Sequence, residues 1–339
     1  LPQPTKTLHA HDAAGTIGRR MQAPWRDRTG RFSPLKAVTL AALLLPGLIA
    51  AASLLLADAP TPGSGLPAGG LAIGPAAGLP GLGGDVARPI TDAIHATGDW
   101  AVHFLLLSLA VTPAMRSLRW PRALILRRMI GVAAFAYVAA HFLLYVVDQQ
   151  FDLVKVASEI VLRVYLTIGF VGVVGLAVLA ATSTDAAVRR MGAPAWQRLH
   201  RIAYVLAVLA LLHFFMQSRI DVSQPTLMSG IFIWLMGWRL IVWLRRRAGR
   251  EPLPGVVDLV ALAVAAAVLT VATEALWYAV ATGVDPWRVI RSNLDFGFAI
   301  RPVWWVLAAG VAVAAAAWWR GRTAPNGRVG RPPRPAPAA

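Results

Sequence analysis

The chain has no cysteine among its 339 residues. That removes disulfide bonds, thiolate-ligated metals and cysteine-held iron–sulfur clusters, and it leaves the redox compartment unread. Charge is scarce as well: 14% of residues are charged and 57% are apolar, with a mean hydropathy of +0.59. So little charge cannot clothe a water-facing surface, so most of the chain belongs in lipid. Acid is scarcer still, 16 Asp and Glu against 33 Lys and Arg, for a net charge of +17.

A nucleotide-binding signature is also missing. The glycines between Pro60 and Gly84 follow no strand and open no helix, so they read as a Gly/Pro/Ala-rich loop rather than a phosphate cradle. No flavin or nicotinamide domain is visible.

Long apolar runs are what the sequence does have. A spanning helix needs about 20 mainly apolar residues, because each adds about 1.5 Å across a hydrocarbon core of about 30 Å. Eight segments qualify, near 37–57, 99–115, 129–147, 160–181, 198–216, 227–244, 256–281 and 302–319. Lipid offers backbone groups no partner, so all eight read as helices. The fold expected is all-α: a polytopic transmembrane bundle of about eight spans. A six-helix domain at 35–247 is followed by an accessory helix pair at 252–319. Residues 1–34 and 320–339 read as a disordered arm and tail.

The basic residues orient this bundle. The arm, the loops near 116–128, 182–201 and 245–251, and the tail carry 25 of the 33 Lys and Arg, while the facing loops carry seven. The positive-inside rule makes the Arg-rich side cytoplasmic, with both termini there. Ten acidic residues, among them Asp92, Asp148, Asp152 and Glu159, fall on the facing loops. The net charge is thus confined to one membrane face, where it reports orientation and contact with anionic lipid, not nucleic-acid binding.

Polar rings inside lipid need partners and are candidate functional groups. Seven histidines occur; His9 and His11 lie in the arm and His95 at an outer helix mouth. His141 lies 13 residues past Arg128 on the third span, and His213 lies 13 residues past His200 on the fifth. At about 1.5 Å per residue both sit about 20 Å from the cytoplasmic mouth. Two neutral imidazoles at equal depth on different helices can take the two faces of one haem iron; helix-to-helix hydrogen bonding is the plainer alternative. His200, a helix mouth away, could serve a second, inner haem, although no other histidine shares its depth. His103 is a reserve ligand one turn inside the second span. Arg127 and Arg128, with Arg116, could hold haem propionates through guanidinium forks or simply anchor the topology. Glu274 is the one carboxylate deep in a span. It is read either as a neutral hydrogen-bonded acid or as a proton or quinone contact.

These residues carry a resemblance. His95-Ala-Thr-Gly-Asp-Trp100, Arg127-Arg128-Met-Ile-Gly131, Phe135, Tyr137, His141-Phe142, Tyr145, Thr182-Ser-Thr-Asp185, Trp196-Gln-Arg-Leu-His200, Tyr204 and His213 together resemble the MsrQ (YedZ) family. That family belongs to the ferric-reductase-like transmembrane class, and the resemblance covers about residues 85–245. It implies a haem b subunit of a bacterial inner-membrane system with one haem or two, and FMN or quinone as further cofactors. It also implies electrons passing from a cytoplasmic flavin reductase or membrane quinol to a periplasmic molybdopterin methionine-sulfoxide reductase that repairs oxidised proteins. Family ligands carry over onto His141 and His213, and onto His200 for the second haem. The last two helices depart from the shorter family pattern. On this reading the chain catalyses no substrate transformation alone. The alternatives are a stand-alone ferric- or oxygen-reducing haem protein and a proton-coupled transporter.

Overall fold

Eight helices among the described residues are long and apolar enough to cross a bilayer. The computed structural model describes residues 32–56, 89–118, 120–218, 221–297 and 299–323. The glycine-rich loop, the tail beyond Thr323 and nearly all of the N-terminal arm lie outside these. The helices are α1 (Pro34–Leu56), α2 (Pro89–Ser117), α3 (Ala123–Asp148), α4 (Leu153–Leu162), α5 (Val164–Ala181), α6 (Asp185–Met191), α7 (Ala193–His200), α8 (Ile202–Gln217), α9 (Ser223–Arg247), α10 (Val256–Thr282), α11 (Pro286–Ser292) and α12 (Pro302–Thr323). The spans are α1, α2, α3, α5, α7 with α8, α9, α10 and α12.

Two boundaries differ from expectation in ways that shape the site. The second span starts ten residues earlier than expected, at Pro89, so Asp92, expected in a loop, and His95, expected at the helix mouth, both sit on its first turns. The fourth does not run unbroken from residue 160. Arg163 is extended (φ −111°, ψ 108°) and separates α4 from α5. It also pairs with Glu159 at 3.1 Å, so the chain turns where its charge can stay at the boundary. α4 opens with the Asp152 carboxylate accepting from the Lys155 backbone N–H at 2.9 Å. Its Val154, Val161 and Leu162 are exposed, as on a helix lying along a membrane surface.

α2 packs along α3 and α9, α5 on α8, and α10 on α9 and α12. The exposed Val257, Val264, Val268, Leu276 and Val280 of α10 form a face for lipid. Two polar side chains repair helix ladders beside prolines, where a backbone N–H is missing or displaced. Next to Pro46, the Gly47 N–H donates to the Tyr137 hydroxyl at 2.6 Å, and that hydroxyl donates to the Leu43 carbonyl at 2.8 Å. Tyr137 is thereby spliced into α1. Pro113 cannot donate to the carbonyl four residues before it, Leu109. Arg239 Nη2 of α9 donates there at 2.6 Å, while its Nη1 donates to the Leu235 carbonyl at 2.7 Å. The Trp238 indole N–H donates to Ser117 Oγ at 2.9 Å, a second tie between α9 and α2.

Candidate cofactor site

His141 on α3 and His213 on α8 face each other, ring centroids 6.3 Å apart and planes at 86°. Both rings are held from behind: His141 Nδ1 lies 2.7 Å from the Ile94 carbonyl of α2, and His213 Nδ1 lies 2.8 Å from the Tyr165 carbonyl of α5. A carbonyl accepts, so Nδ1 is the protonated nitrogen in each ring. Nε2 is left as a lone-pair donor with no hydrogen-bond partner among the described residues. Metal-ligating imidazoles are commonly oriented this way.

Glycines allow those backbones so close. A Cβ on Gly98 would stand 3.0 Å from His141 Nδ1, and one on Gly169 would stand 2.8 Å from His213 Cε1. Any side chain at either position would push a ring off its carbonyl.

The pair lines a cavity of about 640 Å³, bounded inward by Val102, Leu105, Leu176 and Leu206. Its outer mouth is polar, with Gln149, Glu159, Arg163, Gln217, Asp221 and Gln224. Among the described residues, Arg163 is the one Lys or Arg in that lining. It donates to the Tyr165 hydroxyl and to Glu159, each at 3.1 Å, and Tyr145 donates to the other Glu159 oxygen at 2.9 Å. The Tyr165 bond first, then the charges of Tyr165 and Glu159, push the guanidinium's pKa above its ordinary value.

This geometry suits an iron held by a macrocycle. An iron about 2 Å from each Nε2 puts two imidazole centres about 6 Å apart, matching the 6.3 Å observed. Among the described residues no group of three or more His, Cys, Asp or Glu could hold a metal ion. Two axial nitrogens serve an ion whose other ligands arrive with it, as in haem. The volume falls within the range of cofactor pockets, and its apolar floor and polar mouth fit a group with an apolar face and charged edges.

The other anticipated site residues lie elsewhere. His200 Nε2 is 3.2 Å from Thr182 Oγ1, and its ring stacks on Trp196 at 3.9 Å. His103 Nδ1 meets the carbonyl of Asp99, one turn back on its own helix, at 2.7 Å, with Trp100 beside the ring at 5.4 Å. Neither lines the cavity. Arg128 pairs with Asp185 at 2.7 Å near the Arg-rich end, and Arg127 also lies outside the cavity lining. Glu274 contacts Asn293 at 2.8 Å. Sequence reasoning overlooked Arg163 and Arg239. Each had a signal: one charge interrupting a long apolar run, the other inside a span and matched to Pro113.

Comparison with known proteins bears on what the cavity takes. The family model described as "Ferric reductase like transmembrane component" matches residues 97–211. The chain is 41% identical over 169 residues to the protein-methionine-sulfoxide reductase heme-binding subunit MsrQ of Caulobacter vibrioides, covering 50% of this chain and 80% of that protein. It is 42% identical over 174 residues to the same-named subunit of Rhodospirillum rubrum, covering 50% and 84%. With that of Bordetella pertussis it shares 40% over 164 residues, covering 48% and 79%. No solved structure matches. With four-fifths of such relatives covered at this identity, the chain belongs to the MsrQ family of the ferric-reductase-like transmembrane class.

Proposed function

We propose that His141 and His213 are the axial ligands of a b-type haem, and that the chain passes electrons across a bacterial inner membrane as the haem-binding subunit of a methionine-sulfoxide reductase system. The observation that carries this is the pair of opposed imidazoles, each fixed through Nδ1 to a neighbouring helix, on the wall of one cavity. The haem supplies one-electron chemistry when bound. The chain fixes the ring orientations, lines the cavity with Val102, Leu105, Leu176 and Leu206, which would keep water from a bound haem, and supplies Arg163 at the mouth, whose guanidinium would be available to a haem carboxylate. The Arg-rich end is cytoplasmic on this reading, which puts the cavity near the periplasmic face. Electrons then come from a cytoplasmic flavin reductase or from quinol and leave for a periplasmic molybdopterin reductase.

The test is the reduced-minus-oxidised visible spectrum and the haem-to-protein ratio of the purified protein, beside His141→Ala and His213→Ala. Low-spin b bands lost in both variants support the assignment. A wild-type protein that stays colourless after reconstitution with haem overturns it. Stoichiometry decides His200: a ratio of two that falls to one in His200→Ala gives it an inner haem. A ratio of one in both leaves it as the partner of Thr182.

A further inference from the structure

Two helices at the Arg-rich end carry the same short pattern in their last turns. Trp243-Leu-Arg-Arg-Arg247 stands at the end of α9, and Trp318-Trp-Arg-Gly-Arg322 near the end of α12. In both, the guanidinium lies over the indole four residues before it. Arg247 is 4.3 Å from the centre of the Trp243 ring, and Arg322 is 4.1 Å from that of Trp318. The electron-transfer reading uses neither pair.

Helix register brings the two ends to one level. A Cβ on Gly230 would stand 2.5 Å from Val306 Cγ2, and one on Gly310 would stand 3.1 Å from Trp234 Nε1. The step is four residues on both helices and in the same direction, so α9 and α12 are parallel neighbours. Carried inward at equal rise, that register sets Trp243 level with Trp319 and Arg246 level with Arg322. Arg320 Nη1 donates to the Leu118 carbonyl at 2.6 Å, which ties the end of α12 to the chain just past α2.

Each pair stands on a helix face turned away from protein. Leu240, Trp243, Leu244 and Arg247 follow the i, i+3, i+4, i+7 spacing of one face, and all four are exposed. Val311, Ala315, Trp318 and Arg322 do the same on α12, at i, i+4, i+7 and i+11. Exposed leucine and valine on a span meet acyl chains. Indoles one turn before the helix end sit where aromatic belts meet the interface, and the arginine beyond each reaches the headgroups.

Charge decides what such a face receives. A helix C-terminus bears about half a negative charge, which alone would repel an anion. The last turn of α9 carries Arg245, Arg246 and Arg247, and that of α12 carries Arg320 and Arg322, so the sign is reversed. Among the described residues, Arg245 is the member of this group that pairs with a carboxylate, 2.6 Å from Asp258. Stacking occupies the flat face of a guanidinium and leaves its N–H edge for an acceptor with two oxygens, such as a phosphate diester. An acidic protein would arrive from water, past the helix ends, whereas these stripes open sideways along the span.

We propose that the Trp243–Arg247 and Trp318–Arg322 pairs bind the phosphates of anionic phospholipids, with acyl chains laid against Leu240 and Leu244 on α9 and Val311 on α12. The site is independent of the haem ligation and stands whichever way that assignment falls.

The experiment counts lipids retained by the full-length protein in native mass spectrometry, after equilibration in detergent with equal concentrations of dioleoylphosphatidylglycerol or dioleoylphosphatidylcholine. Wild type is compared with Arg247→Gln/Arg322→Gln and with Arg189→Gln/Arg190→Gln, a charge-matched control that removes two exposed arginines of α6 at the same end. A third variant, Trp243→Leu/Trp318→Leu, keeps the charge and removes the stack. Wild type should retain several-fold more phosphatidylglycerol than phosphatidylcholine. That preference should be lost in Arg247→Gln/Arg322→Gln, lowered in the tryptophan variant and kept in the α6 control. Equal losses in the two arginine variants overturn the proposal, because diffuse charge and not a site then holds the lipid. Wild type without the preference overturns it whether or not the variants fold, and is the outcome if the pairs receive an acidic protein segment instead. Displacement of the bound lipid by soluble glycerophosphoglycerol at equal concentration overturns it too, since the acyl chains then contribute nothing.

Discussion

The two ends of the bundle treat histidine differently. At the outer end His141 and His213 have their backs bonded to carbonyls of other helices and their remaining nitrogens beside open volume. At the Arg-rich end His200 lies against Trp196 and spends Nε2 on Thr182. Position within a span does not distinguish these residues; the neighbours' backbone does. A ligand histidine has its second nitrogen occupied from behind and space in front.

The sharpest way to break the contrast is to remove one outer imidazole. His141→Ala or His213→Ala should abolish the low-spin haem spectrum, whereas His200→Ala should leave the outer haem's bands in place. A milder substitution attacks the carbonyl contact. In Gly169→Ala the new methyl meets His213, so haem content should fall several-fold. Gly131→Ala, where a Cβ meets nothing within 4 Å, should keep it; pyridine haemochromogen assay of both variants decides. Arg239→Met tests what holds the walls. It removes three charged-donor bonds, to the Leu109 and Leu235 carbonyls and the Tyr204 hydroxyl, and orphans the Leu109 carbonyl, a loss of about 3 kcal/mol, read as a lower thermal midpoint in detergent with the haem spectrum unchanged in shape. Smallest is Arg163→Gln at the cavity mouth. Screened by solvent, its charge should contribute little, seen as modestly faster haem transfer to apomyoglobin.

Much of this was legible beforehand. Eight spans follow from apolar run length, and counting 13 residues from each Arg-rich mouth places His141 and His213 at one depth. What the count cannot give is facing, because rotation about each helix is set by its neighbours. The Ile94 and Tyr165 carbonyls come from helices distant in sequence, and no composition signal marks a carbonyl. The break at Arg163 was hidden because the residues on both sides are equally apolar, so a hydropathy window runs straight across it. Glu274 was visible as an anomaly, but its partners Asn293 and Arg301 lie 19 and 27 positions on, across a turn whose path the sequence leaves open.

The bond between Arg239 and the Leu109 carbonyl bears on biosynthesis. α2 leaves the ribosome long before α9, so for that interval a carbonyl orphaned by Pro113 has no partner, and α9 then arrives with a guanidinium that lipid does not tolerate alone. Each defect is the remedy for the other. The two helices therefore have a strong reason to find one another as soon as both exist, and a nascent chain halted before Arg239 should stay open to the membrane quality-control proteases that the finished one escapes.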